Sequence, residues 1–159
     1  MPELNKSIEI ASHKGHYHAY FYQEIADLID DLMVENAVFL VDQRVMQLHK
    51  TALTPLLDQG VVVTIEAREA NKSLEIMPKT IDALLRAGIR RGDILVVIGG
   101  GIVQDIGCFV ASTLFRGLEW VFLPTTLLAQ ADSCIGSKSS INMQGHKNIV
   151  GTFNPPNRI

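Results

Sequence analysis

An unbroken apolar run, Ile94-Leu95-Val96-Val97-Ile98, empties through Gly99-Gly100-Gly101 into a segment whose Val103, Ile106, Val110 and Leu114 recur at helical spacing. A strand apolar at every residue is covered on both faces, which is the mark of a parallel sheet lying between layers of helices. A helix that starts directly after such a strand turns its unpaired N–H groups and the positive end of its dipole toward the carboxyl edge of the sheet. That geometry suits a diphosphate, and glycine lets the ligand approach the backbone. Three consecutive glycines cost about 1 kcal/mol each when nothing uses them. A tight strand-to-helix turn without a ligand is the alternative. The stretch Gly99-Gly100-Gly101-Ile102-Val103-Gln104-Asp105 does not fit the GxGxxG dinucleotide fingerprint, so an ordinary Rossmann reading would be forced.

The flanking sequence has the same rhythm. Ser7 to Ile10 and His16 to Phe21 read as a hairpin turning at Lys14-Gly15, and Gln23 to Met33 reads as a helix on Ile25, Leu28, Ile29 and Leu32. Then come a strand over Ala37 to Val41, a helix over Val45 to Asp58 interrupted near Pro55, and a strand over Val61 to Ile65. Leu74, Met77, Ile81, Leu84 and Leu85 mark one face of a helix stopping at Gly88, and Trp120 to Leu123 is a short strand closed by Pro124. The expected fold is α/β: a Rossmann-like parallel sheet with helices on both faces and an N-terminal β-hairpin. Residues 1–36 form the hairpin and first helix, and 37–159 the nucleotide-binding core. The chain has 159 residues, 47% of them apolar, enough for one domain burying roughly 70% of its unfolded surface.

Several classes of function drop out. The formal charge is −3 and no basic block stands out, so there is no electrostatic footprint for nucleic acid. The longest apolar stretches are of strand length, far below the roughly 20 residues of a membrane span. Met1 to Ser12 lacks the apolar core of a signal peptide, and a cytoplasmic location is expected. Cys108 and Cys134 lack CxxC spacing and read as reduced thiols. His13, His16 and His18 suggest a metal site, but no Cys or carboxylate completes the set and a surface hairpin explains them as well.

Polar residues gather where strands end. Asp42 follows its strand at the edge where α/β proteins bind ligands; a bond to ribose hydroxyls and a cap on the next helix explain it equally well. Glu69 and Lys72 follow the next strand, with a solvated charged loop as the default. The segment Pro124-Thr125-Thr126-Leu127-Leu128-Ala129-Gln130-Ala131-Asp132-Ser133 brings hydroxyls and a carboxylate to the same edge. Beyond it, Lys138, Lys147 and Asn148 could bind an anionic, hydroxyl-rich substrate; two solvated lysines are the plainer reading.

Three blocks in order, GGGIVQDIGCFVASTLFRG, PTTLLAQADSCIGSKSSIN and GHKNIVGTFNPP, together with EANKSLE, resemble the 3-dehydroquinate synthase family and its sugar-phosphate cyclase relatives from about Asp42 onward. Iron-dependent alcohol and glycerol dehydrogenases share the triple glycine and PTT but continue as PTTAGTGSE, whereas PTTLLAQADS favours the cyclase branch. The resemblance implies an NAD- and divalent-metal-dependent lyase, with Zn or Co as the metal. It would cyclise 3-deoxy-arabino-heptulosonate 7-phosphate with loss of phosphate, in the shikimate pathway of aromatic amino acid biosynthesis. By the same likeness Asp42, Glu69, Lys72, Gly100, Gly101, Ile102, Val103, Gln104, Asp105, Thr125, Thr126 and Lys147 would hold NAD. Asp132, Lys138 and Asn148 match substrate positions, and Arg116 matches an arginine that reaches the substrate phosphate from the partner of a homodimer.

The chain also departs from the family pattern. Gln104 stands where the family usually has Gly, at the first helical turn, where it narrows the diphosphate site or hydrogen-bonds into it. Gly136-Ser137-Lys138-Ser139-Ser140 replaces GGKTG, and His146 replaces the second glycine of GGKN. Rival readings are a cyclase acting on sedoheptulose 7-phosphate, an aminocyclitol-forming cyclase, and a nucleotide-binding module without turnover. The family's metal ligands, a Glu and two His, lie in a following helical domain that these residues do not contain, and Asn157-Arg158-Ile159 resembles the start of the next strand. The expectation is that these 159 residues fold, bind NAD weakly at most, and release no phosphate from heptulosonate phosphates with or without Zn²⁺ or Co²⁺. Metal-dependent phosphate release by this chain alone would overturn that and return attention to the histidine hairpin.

Overall fold

The computed structural model describes residues 6–32 and 35–159. Strands β1 (Lys6–Ser12) and β2 (Gly15–Phe21) form an antiparallel hairpin whose turn is His13-Lys14, one residue earlier than the sequence suggests. Gly15 is already in the first pair, opposite Ser12, and has φ +110°, a conformation that glycine adopts without strain. Helix α1 (Ile25–Asp31) is shorter than expected; Leu32 has left the helix and is buried, and Met33 lies outside the described residues.

Strands β3 (Ala37–Asp42), β4 (Val61–Ile65), β5 (Ile94–Gly99) and β6 (Glu119–Pro124) make a parallel sheet in the order β4-β3-β5-β6. Alternation within these strands supplies two separate cores. Phe39, Val41, Val96, Ile98 and Val121 pack with Leu53, Leu56 and Leu57 of α2 (Gln43–Leu57) and with Leu32. Val38, Leu40, Leu95, Val97, Trp120 and Phe122 face the other way, against Leu84 of α3 (Met77–Arg86) and Val103, Ile106 and Val110 of α4 (Gly101–Thr113). Both faces need cover, which is why these strands carry apolar residues without interruption. The irregular point of α2 is His49 (φ −123°, ψ 20°), not Pro55, and Leu74 lies in the turn ahead of α3 rather than on its face.

The last three residues complete the sheet. Phe122 N–H donates to the Arg158 carbonyl (3.0 Å) and Ile159 N–H to the His18 carbonyl (2.9 Å), so residues 157–159 run between β6 and β2 and join the hairpin to the core. The Arg158 guanidinium lies 4.1 Å from the centre of the Tyr20 ring and pairs with Asp31 and the Tyr22 hydroxyl. Burial, reinforced by the bond to Asp31, pushes the Tyr22 phenol up to about 12. Among the described residues no helix is long and apolar enough to cross a membrane.

Helix α4 sits hard against β5. A Cβ on Gly107 would lie 2.5 Å from Cγ2 of Val97, a side chain with no exposure and stiff at χ1. Gly107→Ala is expected to destabilise the domain by about 1–3 kcal/mol in denaturant unfolding. Val97→Ala in the same chain should recover part of that loss, so the double variant is more stable than the sum of the singles allows.

Candidate functional site

Parallel register brings the strand ends together. Asp42 pairs with Ile65 and Gly99 with Pro124, so Asp42, the 66–72 segment, the glycine turn and Thr125-Thr126 share the carboxyl edge of the sheet. Asp42 caps α2, its Oδ1 accepting from Arg44 N–H at 2.8 Å, which is the capping role its position allowed.

The three glycines differ in why they must be glycine. A Cβ on Gly99 would come within 2.7 Å of Val103 Cβ, and one on Gly100 within 2.8 Å of Thr126 Cγ2. Those two positions answer to the protein's own packing. At Gly101 a built Cβ would meet only Ser133 Oγ, at an ordinary contact distance of 3.9 Å, so the protein's own packing does not require glycine there. Gly101 begins α4, its N-cap is Gly100, and no side chain caps the helix. The first turn of this thirteen-residue helix therefore has N–H groups without a side-chain cap, Gly101 and Ile102 being half-buried and Val103 buried.

Lys72 overturns the solvated-loop expectation. It is 7% exposed and donates to Asp105 Oδ2 (3.0 Å) and Asn148 Oδ1 (2.9 Å), with Glu69 Oε1 at 3.7 Å. Asp105 Oδ1 accepts from Ser140 N–H (2.9 Å), and Glu69 Oε1 from the Asn142 amide (2.9 Å). Burial raises the Asp105 carboxyl above its ordinary value, with the Lys72 ammonium opposing the shift. Hydrogen bonding from Asn142, then the charges of Lys72 and Lys147, hold Glu69 below the usual carboxylate range.

The segment after Ser133 is ordered by a second hairpin, β7 (Ile141–Met143) and β8 (His146–Val150). Gln144 (φ +49°) and Gly145 (φ +80°) make its turn, and Asn148 (φ +57°) occupies a bulge in β8, a left-handed conformation that asparagine tolerates. The bulge carries the Asn148 amide to Lys72, and Asn148 N–H donates to Asn142 Oδ1 at 2.9 Å. An open cleft of about 470 Å³ lies along this hairpin, lined by Glu69, Ser73, Glu75, Asn142 and Lys147 among others.

Gln104 is 4% exposed and bonds to Ser133 of a π-helical turn (Ala129–Ser133), the residue nearest to a Cβ on Gly101. Asp132, Lys138, Lys147 and Arg116 are exposed. Arg116 follows Phe115 in a left-handed pair (φ +70° and +53°), strained backbone that presents the guanidinium outward. Cys108 and Cys134 are buried free thiols. Among the described residues no three His, Cys, Asp or Glu side chains group as a metal site; His16 bonds instead to Glu9 across the hairpin (2.8 Å). Sequence reading missed Asn142 and Ser133: their contacts join segments remote in the chain, and only the Asn-and-hydroxyl-rich composition hinted at them.

The family model described as 3-dehydroquinate synthase N-terminal matches residues 62–159. The chain belongs to this family. The 3-dehydroquinate synthase of Streptococcus equi subsp. equi is 33% identical over 162 residues, covering 98% of this chain and 45% of that protein. The enzyme of the same name from Latilactobacillus sakei is 41% identical over 130 residues, covering 79% of this chain and 37% of that protein. This member of the 3-dehydroquinate synthase family thus spans less than half the length of those curated relatives. Among solved structures, a 2-epi-5-epi-valiolone synthase from Streptomyces hygroscopicus with NAD⁺ and Zn²⁺ bound superposes with a TM-score of 0.77 at 29% identity, covering 89% of this chain and 41% of that one. A 2-deoxy-scyllo-inosose synthase shares the fold, with a TM-score of 0.84 at 21% identity, covering 96% of this chain and 46% of that one. Glu69, Lys72, the glycine turn and the 124–148 segment all fall within the family match, whereas Asp42 and the hairpin precede it.

Lys72→Met should leave the partly buried Asp105 carboxylate without its cation, costing about 1–3 kcal/mol at neutral pH. Losing the ammonium raises the Asp105 pKa further, so the penalty is full above the folded-state pKa and shrinks as pH falls through it. Unfolding curves from pH 4 to 8 check this, and Lys72→Met/Asp105→Asn should be more stable than Lys72→Met at pH 8.

Proposed function

We propose that this chain is the dinucleotide-holding part of a sugar-phosphate cyclase of the 3-dehydroquinate synthase type, acting in the shikimate pathway with NAD as cofactor. The observation that carries this reading is Gly101, a glycine that the protein's own packing does not require, at the uncapped start of α4. A dinucleotide diphosphate suits that place because the half-buried Gly101 and Ile102 N–H groups can donate to it. Thr125 and Thr126 close one side, and the Asp42 oxygen not engaged by Arg44 can accept a ribose hydroxyl. Lys72, two of whose three donors are taken by Asp105 and Asn148 with Glu69 as a longer ion-pair partner, acts by holding these three in place.

When bound, NAD⁺ supplies reversible hydride acceptance, so that oxidation of a secondary hydroxyl acidifies the neighbouring C–H and lets phosphate leave by elimination before the hydride returns. The remaining residues bind and orient. Lys138 and Arg116 attract the anionic phosphate, with Arg116 serving the neighbouring subunit of a homodimer, and Asp132 and Asn148 accept and donate to sugar hydroxyls. The divalent metal of the family finds no ligand set among the described residues, so the work assigned to these side chains is binding, orientation and charge neutralisation. Lys138 lies in a serine-rich loop, Gly136-Ser137-Lys138-Ser139-Ser140, and the likeness to 2-epi-5-epi-valiolone synthase supports a second reading in which the substrate is sedoheptulose 7-phosphate or a related sugar phosphate.

Gly101→Val should leave the fold intact, since only Ser133 Oγ approaches a Cβ there, yet abolish NAD⁺ binding in calorimetric titration. A folded variant with unaltered affinity would sink the placement. Following phosphate release from the intact gene product against a panel of heptose, heptulose and heptulosonate phosphates separates the two substrate readings, and no release from any of them contradicts both.

A further inference from the structure

The turn that follows β6 is anchored in the core at Ala129 and, just past it, Cys134, and is otherwise held by polar bonds. Leu127 and Leu128 are 81% and 69% exposed, and of residues 125–133 only Ala129 is buried. Thr126 Oγ1 accepts from Ala129 N–H (3.2 Å) at the start of the turn, and the Gln130 amide donates to the Pro124 carbonyl (3.1 Å). The two side-chain bonds tying the turn to α4 both run through Gln104: its Nε2 donates to the Ser133 carbonyl (2.6 Å), and its Oε1 accepts from the Ser133 hydroxyl (2.8 Å). A long polar side chain buried at 4% exposure is costly unless its amide is satisfied at both ends, as it is here. The two ends of this turn stand over the glycines, Thr126 at Gly100 and Ser133 at Gly101, with Ser133 Oγ the nearest atom to a Cβ built on Gly101.

We propose that Gln104 is a positioning residue that clamps the 129–133 turn onto the start of α4 through Ser133, fixing the Ser133 hydroxyl beside Gly101 at the border of the place a dinucleotide diphosphate takes. The inference rests on the cofactor reading above for what binds beside Gly101, but the clamp itself stands on the two hydrogen bonds. The wall over Gly101 is thereby ordered before any ligand arrives, so binding does not have to order the turn.

Gln104→Ala, Ser133→Ala and the double variant test this, with NAD⁺ affinity measured by calorimetry and amide hydrogen exchange measured on the ligand-free chain. Gln104→Ala removes both bonds and should speed exchange across residues 129–134 while leaving β3 and β5 protected, and weaken NAD⁺ binding about tenfold. Ser133→Ala removes the hydroxyl bond and keeps the one to the backbone carbonyl, so its effects should have the same sign and be smaller. Because the two residues act through one contact, the double variant should be no worse than Gln104→Ala. Unchanged exchange at 129–134 in both singles overturns the clamp whether or not NAD⁺ binds. Unchanged NAD⁺ affinity in both singles, or losses that multiply in the double, overturns the role beside Gly101. Failure of the unaltered chain to bind NAD⁺ counts against the cofactor reading, with exchange alone then deciding on the clamp. Should Gln104→Ala fail to fold, Ser133→Ala, which removes a half-buried hydroxyl, decides by the same readouts.

Discussion

Everything at the carboxyl edge depends on how closely α4 lies on β5. Gly107 lets the helix backbone approach Val97, and Gly99 lets the strand end meet Val103, each at a distance that a Cβ would forbid. Close seating brings the start of α4 to the end of the strand, without a loop in which its N–H groups could turn away. A looser helix would still cover the sheet but would no longer aim its dipole at the carboxyl edge beside Gly101.

The second constraint is a buried cation. Lys72 draws together a 3-10 turn after β4, the first turns of α4 and the bulge of β8. A desolvated ammonium must find acceptors, and Asp105 and Asn148, with Glu69 farther off, are those acceptors, so one charge ties three segments together. Asp105 illustrates the cost: its carboxyl is raised by burial although a lysine lies 3.0 Å away. Such a network contributes less to net stability than to a single arrangement of the site, because breaking one member strands the others.

The N-terminal hairpin depends on the far end of the chain. Residues 157–159 supply the ladder between β2 and β6, and Arg158 adds its contacts to Tyr20, Tyr22 and Asp31. Sequence-remote contacts of this kind pay loop-closure entropy before they stabilise anything.

By itself the sequence determined the layers, the parallel sheet and the glycine turn, because these follow from local periodicity: unbroken apolar strands, helical spacing, and glycine where a helix must begin at once. The family blocks in it were sufficient to mark the residues of the edge. Tertiary structure alone decided which of those residues are occupied with one another. Lys72 reads as solvated beside Glu69 and is buried; Asp42 is compatible with two roles and caps α2; Gln104 is compatible with narrowing a diphosphate site or bonding into it, and its amide is bonded to Ser133. The physical reason is the same in each case. A polar side chain takes its role from the partner that satisfies it, and those partners, Asn142, Asn148 and Ser133 among them, are brought near only when distant segments pack.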